Sequence, residues 1–178
     1  MDRFSILVGD ITQSDAEAIV NAADPSLLGG AGVDGAIHAA AGPELLAECR
    51  TLGGCERGQA KLTAGYRLRA KYVIHTPGPV WQGGDHGEAA LLASCYRSCL
   101  ETAAARGIRT LDFCSISTGV YGYPLPLAAT VALRTIMEFL AGRALPERVR
   151  MVCHSEAAAE VYCQTWNLWY AEDKDQRL

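Results

Sequence analysis

The sequence predicts an α/β fold with a largely parallel sheet between helix layers. Three observations predict it. Short apolar runs of strand length alternate with amphipathic segments of helix length. Several of those runs stop at Gly, Asp or Pro. Two glycine-rich loops each follow a strand and precede a helix.

Phe4 to Val8 is the first strand, stopped by Gly9-Asp10. Ala18 to Ala22 is the second, stopped by Asp24-Pro25. The loop Gly29-Gly30-Ala31-Gly32 follows, and a helix is expected from Val33 or Asp34 to about Arg50, ahead of Gly53-Gly54. Gln59 to Leu62 and Tyr72 to Thr76 read as two more short strands. From Glu88 to Arg106 the spacing of Leu92, Cys95, Tyr96, Cys99, Leu100 and Ala103 places one apolar face on a helix. Gly107 stands where a C-terminal helix glycine belongs. Thr110 to Ile116 is a strand, and Ser117 to Gly122 the second small-residue loop. Pro126 suits the first turn of a helix reaching about Ala141. Arg148 to Cys153 is the last strand and Ala157 to Tyr170 the last helix.

A chain of 178 residues suits one domain. That domain is expected over 1–170, with a charged, frayed tail at 171–178. Hydrophobic residues at 49% and charged residues at 20% exclude a disordered or fibrous chain. The 16 basic and 20 acidic residues give a formal charge of -4. A protein that grips phosphates along a duplex is normally basic, so no duplex nucleic acid partner is expected. No run of 18 uncharged apolar residues occurs, so no membrane partner is expected either. Met1-Asp2-Arg3-Phe4 lacks the pattern of a signal peptide, and the expectation is a cytoplasmic protein. The seven cysteines contain no C-x-x-C pair and read as reduced, mostly buried thiols. The four histidines lack metal-ligand spacing, so neither a metal nor a cofactor is expected.

Parallel sheets bind ligands in a crevice at the carboxyl ends of their strands, and both glycine loops should line it. The first loop is either a tight turn or a phosphate site built from backbone N–H groups at a helix start. It lacks the Lys of a Walker A loop. Gly30 to Gly35 fits G-x-G-x-x-G by letter, but it follows the second strand and has no acidic residue at the expected distance. A second loop of the same kind makes a diphosphate a better fit than one phosphate, with Ser117 and Thr118 able to add hydroxyl donors. Asp10 is either a cap or an acceptor for a base amino group. Asp34 is either an N-cap or a carboxylate facing ribose and a water. Tyr121 is either a core anchor or a ring laid on a sugar.

Five stretches together resemble the macrodomain family. They are Gly9 to Thr12, Asp15 to Ala23, Gly32 to His38, Val73 to Pro79 and Ile116 to Pro124. Within it they look most like the MacroD-type ADP-ribose hydrolases, in particular the bacterial YmdB-like subgroup. Trp81-Gln82-Gly83-Gly84 and Ala144 to Glu147 add to that match. The resemblance implies a three-layer α/β/α sandwich with a mixed, largely parallel sheet. It implies hydrolysis of O-acetyl-ADP-ribose and removal of mono-ADP-ribose from acidic side chains of proteins. ADP-ribose, O-acetyl-ADP-ribose and mono-ADP-ribosylated proteins are the implied partners.

By the same resemblance, Asp10 binds the adenine amino group, with the Ile11 backbone and His154 beside the ring. The backbones of Gly30, Ala31, Gly32 and Val33, and of Ser117, Thr118, Gly119, Val120 and Tyr121, hold the diphosphate. Asn21 and Gly122 join the ligand contacts. Asp34, Asp24 and Tyr121 are the implied catalytic group. Asp34 touches the distal ribose and positions a water, and Tyr121 packs on that ribose.

One departure bears on function. The family pattern ends the second strand with Asn-Ala-Ala-Asn, and here it reads Asn21-Ala22-Ala23-Asp24. An ionised Asp accepts hydrogen bonds but donates none. Its charge near Asp34 and a diphosphate is expected either to weaken binding or to raise one carboxyl pKa, which would create a general acid. The rivals to a hydrolase are therefore an ADP-ribose binder with weak or no turnover, and an interaction domain with a vacant cleft. Ala31, where glycine is usual, should matter little if its φ stays negative.

Overall fold

The computed structural model describes residues 3–176, with residues 170–176 as backbone only. Twelve elements follow in chain order: β1 (Phe4–Val8), a 3-10 turn (Ile11–Gln13), β2 (Ala18–Ala22), α1 (Gly32–Ala41), α2 (Pro43–Arg50), β3 (Lys61–Ala64), β4 (Tyr72–Thr76), α3 (Glu88–Ala105), β5 (Thr110–Phe113), α4 (Leu125–Gly142), β6 (Arg148–Cys153) and α5 (Glu156–Gln176). The strands form one sheet in the order β1-β6-β5-β2-β4-β3. Every pairing is parallel except β3 with β4. The sheet is therefore mixed and largely parallel, as expected. Helices α1 and α2 pack beside β2 and β3, and α3, α4 and α5 pack in sequence as the second helix layer.

The strands are legible because apolar side chains cover both faces. Ala18, Ile19, Val20, Val73, Ile74, Leu111, Phe113, Val149 and Met151 are all buried. Tyr96 of α3 packs on Phe113 with ring centroids 5.0 Å apart. Helix α4 is long and apolar enough to cross a membrane by length and mean hydropathy. Here its Ala128, Ala132, Leu133, Ile136 and Leu140 are buried, and it packs against α3 and α5. Cys49, Cys55, Cys95, Cys99, Cys114 and Cys153 are buried free thiols, and Cys163 is exposed.

Four boundaries differ from expectation. The single helix expected to about Arg50 is two, because Gly42 takes φ +87° and Pro43 opens α2 without an N–H to continue the ladder. Strand β3 sits two residues later than Gln59 to Leu62. The strand at Thr110 ends at Phe113, and the chain then leaves the sheet toward Ser117 at φ +67°. Helix α5 continues to Gln176, so most of the expected frayed tail is helical. Residues 177 and 178 lie outside the described residues. Gly107, at φ +73°, is the expected glycine after α3.

Candidate functional site

The carboxyl ends of β1, β2, β4, β5 and β6 open into a cleft with two compartments. The larger has a volume of about 520 Å³ and is lined by Gly9, Asp10, Ile11, Thr12, Gly32, Val33 and His154, among others. The smaller, of about 240 Å³, is lined by Asp24, Gly30, Ala31, Asp34, Gly78, Ser117, Val120 and Tyr121 with Ala22 and Ala23. Adjacent residues Ala31 and Gly32 face different compartments, as do Ser115 and Ser117. The two therefore meet between the two glycine loops. A ligand spanning them would place its middle against both loops.

That middle offers hydrogen-bond donors of the kind that suit an anion. Ala31, the N-cap of α1, has φ -88° and ψ 174° and supplies no side-chain cap. The first N–H groups of α1 are thus left for a ligand, at the positive end of the helix dipole. Ala31 keeps a negative φ, as its tolerance requires, while Gly32 takes φ +62°. Gly35 is needed for closeness, because a Cβ there would lie 2.6 Å from the Gly30 carbonyl oxygen. Among the described residues, no lysine or arginine lines either compartment.

The second loop is pinned from below. Thr118 Oγ1 donates to the Ser115 carbonyl at 3.2 Å, and Ser115 Oγ pairs with Tyr162 Oη of α5 at 2.6 Å. The Thr118 hydroxyl is thus committed to the fold, contrary to its expected use as a ligand donor. Ser117 differs. Its Oγ is buried without a protein partner, and its φ of +67° is rare for a residue with a side chain. It is the hydroxyl left for a ligand. Gly119 and Gly122 close the turn through a Gly122 N–H to Gly119 carbonyl bond at 3.0 Å.

Asp10 caps the turn that follows β1 and keeps one carboxylate oxygen free of protein partners among the described residues. Oδ1 accepts from Thr12 N–H at 2.9 Å and Thr12 Oγ1 at 2.7 Å, capping the 3-10 turn. Oδ2 has no hydrogen bond among the described residues, and Asp10 lines the larger compartment with Ile11 and exposed His154.

Asp34 is not an N-cap. It sits in the first turn of α1, only 3% exposed, and its carboxylate reaches the smaller compartment. Asn21 Nδ2 donates to Oδ1 at 2.9 Å, and the Asp24 N–H points to Oδ2 at 3.3 Å. His38 Nε2 lies 3.4 Å from Oδ1. Asn21, expected as a ligand contact, is fully buried behind Asp34 and lines neither compartment. Its Nδ2 also lies 3.1 Å from His75 Nδ1. An amide N–H only donates, so Nδ1 accepts and Nε2 carries the ring proton toward Thr63 Oγ1 at 2.9 Å. The buried row Thr63–His75–Asn21 orients Asp34 from inside the sheet.

That row makes a pH prediction. Burial, and then the nearby His38, hold the His75 pKa down to about 3. The unfolded chain protonates histidine at about 6.5. Below that pH the unfolded state binds a proton that the native state refuses, so stability falls as pH drops from about 6.5 toward 3. The expected loss at pH 4.5 is roughly 2–3 kcal/mol, read as a falling urea midpoint. His75→Gln should flatten this stretch relative to wild type. Equal slopes in both proteins would show that His75 does not carry it.

Asp24 lines the smaller compartment but is turned to its own loop. Its Oδ2 accepts from Ser26 Oγ and from Ser26 N–H, and these bonds lower its pKa. Ser26 thus stabilises the charged form of Asp24, so of the two carboxyls that could have taken the expected raised pKa, Asp24 is not the one. Tyr121 is half-buried and lines the same compartment, which excludes a core-anchor role. Its carbonyl accepts from Trp81 N–H at 2.9 Å, and the Arg57 guanidinium lies 5.1 Å from its ring centroid. Trp81 in turn packs on Tyr123 with centroids 4.7 Å apart. Glu88 fixes that segment. Burial raises its pKa, but the N–H groups of Gln82, Gly84 and His86 outweigh this and bring it to about 2.

Sequence reasoning missed Gly78, Arg57 and His75. Gly78 had a signal, since Pro77-Gly78-Pro79 follows a strand as the two loops do. Arg57 had none, because it reaches Gly78 and Tyr121 from a loop distant in the chain.

Fold and cleft together define an α/β domain with a glycine-loop cleft at the sheet's carboxyl edge. A family model described as Macro domain matches residues 20–132. The chain belongs to the macrodomain family. It is 56% identical over 162 residues to a macro domain-containing protein of Mesorhizobium japonicum, covering 91% of this chain and 92% of the relative. It is 53% identical over 166 residues to the O-acetyl-ADP-ribose deacetylase of Salmonella gallinarum, covering 91% of this chain and 93% of that protein. In three dimensions it resembles a variant of the Oceanobacillus iheyensis macrodomain with ADPR, at TM-score 0.90 and 42% identity, over 93% of this chain and 92% of the other.

Proposed function

We propose that this protein binds ADP-ribose and hydrolyses its acyl esters, O-acetyl-ADP-ribose among them. Mono-ADP-ribosylated acidic side chains of proteins are the second substrate class. One observation carries the reading: a buried, oriented carboxylate, Asp34, stands beside the uncapped start of α1, where the two compartments meet. Adenine enters the larger compartment, with its amino group on Asp10 Oδ2 and its ring near Ile11 and His154. The diphosphate lies between the first N–H groups of α1 and the Ser117 loop. The distal ribose fills the smaller compartment against Tyr121 and Asp34.

Asp34 then holds a water near the substituted ribose and favours loss of its proton as it attacks. The groups around it are fixed before the ligand arrives, so catalysis rests on positioning and oriented dipoles. The buried free thiols support a reducing, cytoplasmic setting.

A calorimetric titration with ADP-ribose, paired with turnover of O-acetyl-ADP-ribose, tests the reading. Binding with product formation is expected. Binding without product would favour the second reading, a binder, which the charge of Asp24 in the cavity wall supports. No binding would overturn both.

Asp24→Asn separates the roles of that charge. An Asn side-chain oxygen can accept from Ser26 as Asp24 does, so the turn should survive. One negative charge leaves the diphosphate cleft, and ADP-ribose affinity is expected to rise about 2–10-fold at low salt, from removal of about 1 kcal/mol of repulsion. A fall in affinity would show that the ligand uses the charged carboxylate.

A further inference from the structure

The geometry points to an acyl subsite at the distal end of the cleft, in which Arg57, laid over Tyr121, recognises the carboxyl-derived group attached to the ribose. This rests on the ADP-ribose reading and deepens it.

Among the described residues, the smaller compartment has two carboxylates in its wall, Asp24 and Asp34, and no cation. Arg57 stands just behind that wall. Its Nη1 donates to the Gly78 carbonyl, and its guanidinium carbon lies 5.1 Å from the centroid of the Tyr121 ring. Gly78 and Tyr121 both line the compartment, so the guanidinium is held against two of its wall residues without itself lining it. Arg57 is half-buried and forms no ion pair among the described residues, and the rest of its N–H fork has no protein acceptor there. A positioned guanidinium with free donors is a receptor for a carboxylate or an ester carbonyl.

The larger compartment takes the base, and the loops between the two take the diphosphate. A substituent on the distal ribose therefore leaves past Gly78 and Tyr121. Hydrolysis converts ester and water into a ribose hydroxyl, a carboxylate and a proton, whichever carbon–oxygen bond breaks. Negative charge grows on the acyl oxygens as this proceeds. Arg57 meets a neutral ester at the start and a carboxylate at the end, so its contribution belongs to kcat more than to ADP-ribose binding.

The probes are ADP-ribose, which has no acyl group, and O-acetyl-ADP-ribose. Arg57→Leu keeps an apolar arm over Tyr121 and removes the charge and the fork. Arg57→Lys keeps the charge alone. Wild type and both variants should bind ADP-ribose within about 3-fold of one another, while kcat for the ester falls at least ~10-fold in Arg57→Leu and less in Arg57→Lys. Unchanged kcat in Arg57→Leu would overturn the subsite. So would a loss of ADP-ribose affinity equal to the loss of turnover, which marks a prop for Tyr121. Failure of wild type to bind ADP-ribose would instead overturn the function on which the subsite rests.

Discussion

Asp34→Ala is expected to lower kcat for O-acetyl-ADP-ribose at least about tenfold, and up to ~100-fold, with ADP-ribose affinity equal or improved. The two halves of this expectation come from different physics. Turnover falls because the group that orients and deprotonates water is gone. Affinity holds or rises because a negative charge beside the diphosphate is gone. Stability should drop by about 1–3 kcal/mol, since the Asp24 N–H loses its acceptor and Asn21 Nδ2 keeps only His75. Asp34→Asn refines the test. Its side-chain oxygen can still accept from Asn21, so the shape survives while the charge does not. Low turnover in both variants assigns the effect to the carboxylate charge. Full turnover in Asp34→Asn would reduce Asp34 to a brace, and unchanged turnover in Asp34→Ala would remove it from the mechanism.

What the chain reveals by itself depends on how local the physics is. The strands were readable because each is a short apolar run at a buried sheet, and five of the six begin where expected. The two loops were readable because glycine and small residues after a strand have few other uses. The break between α1 and α2 was readable too, since Gly42-Pro43 is a stop signal in plain view, but the apolar pattern on both sides masked it. Asp24 is the instructive case. Asp-Pro-Ser is a turn signature, and the side chain duly caps Ser26. Reading Asp24 only against the family pattern overlooked the Ser26 bonds that hold its carboxylate charged. The hydroxyl of Thr118, the placement of Asn21 behind Asp34 and the reach of Arg57 are long-range facts. Each depends on Ser115 and Tyr162, on His75, or on Gly78, and no spacing in the chain encodes them.

Gly78→Ala is expected to weaken ADP-ribose binding at least about tenfold and to cost about 1–3 kcal/mol of stability, through crowding rather than lost contacts. A Cβ at Gly78 would overlap Ser117 Oγ and lie 2.7 Å from Ile116 Cγ2. The Ser117 hydroxyl can rotate away, but the Ile116 methyl is packed in the core and cannot. The added carbon must therefore push the start of the second loop off its seat. Ser117 already sits at φ +67°, a conformation held only by its surroundings, so a small push has somewhere to go. Displacing Ser117 moves the one buried hydroxyl left unpaired among the described residues and the N–H groups that follow it. Gly119→Ala supplies the comparison for the fold, since a Cβ there meets nothing within 4 Å. Its melting temperature should match wild type while that of Gly78→Ala falls by several degrees. Affinity lost in Gly78→Ala with an unchanged melting temperature would mean that the Cβ blocks the ligand directly. Affinity retained despite a lower melting temperature would mean that the second loop does not grip the diphosphate, and the two-loop cleft would have to be abandoned.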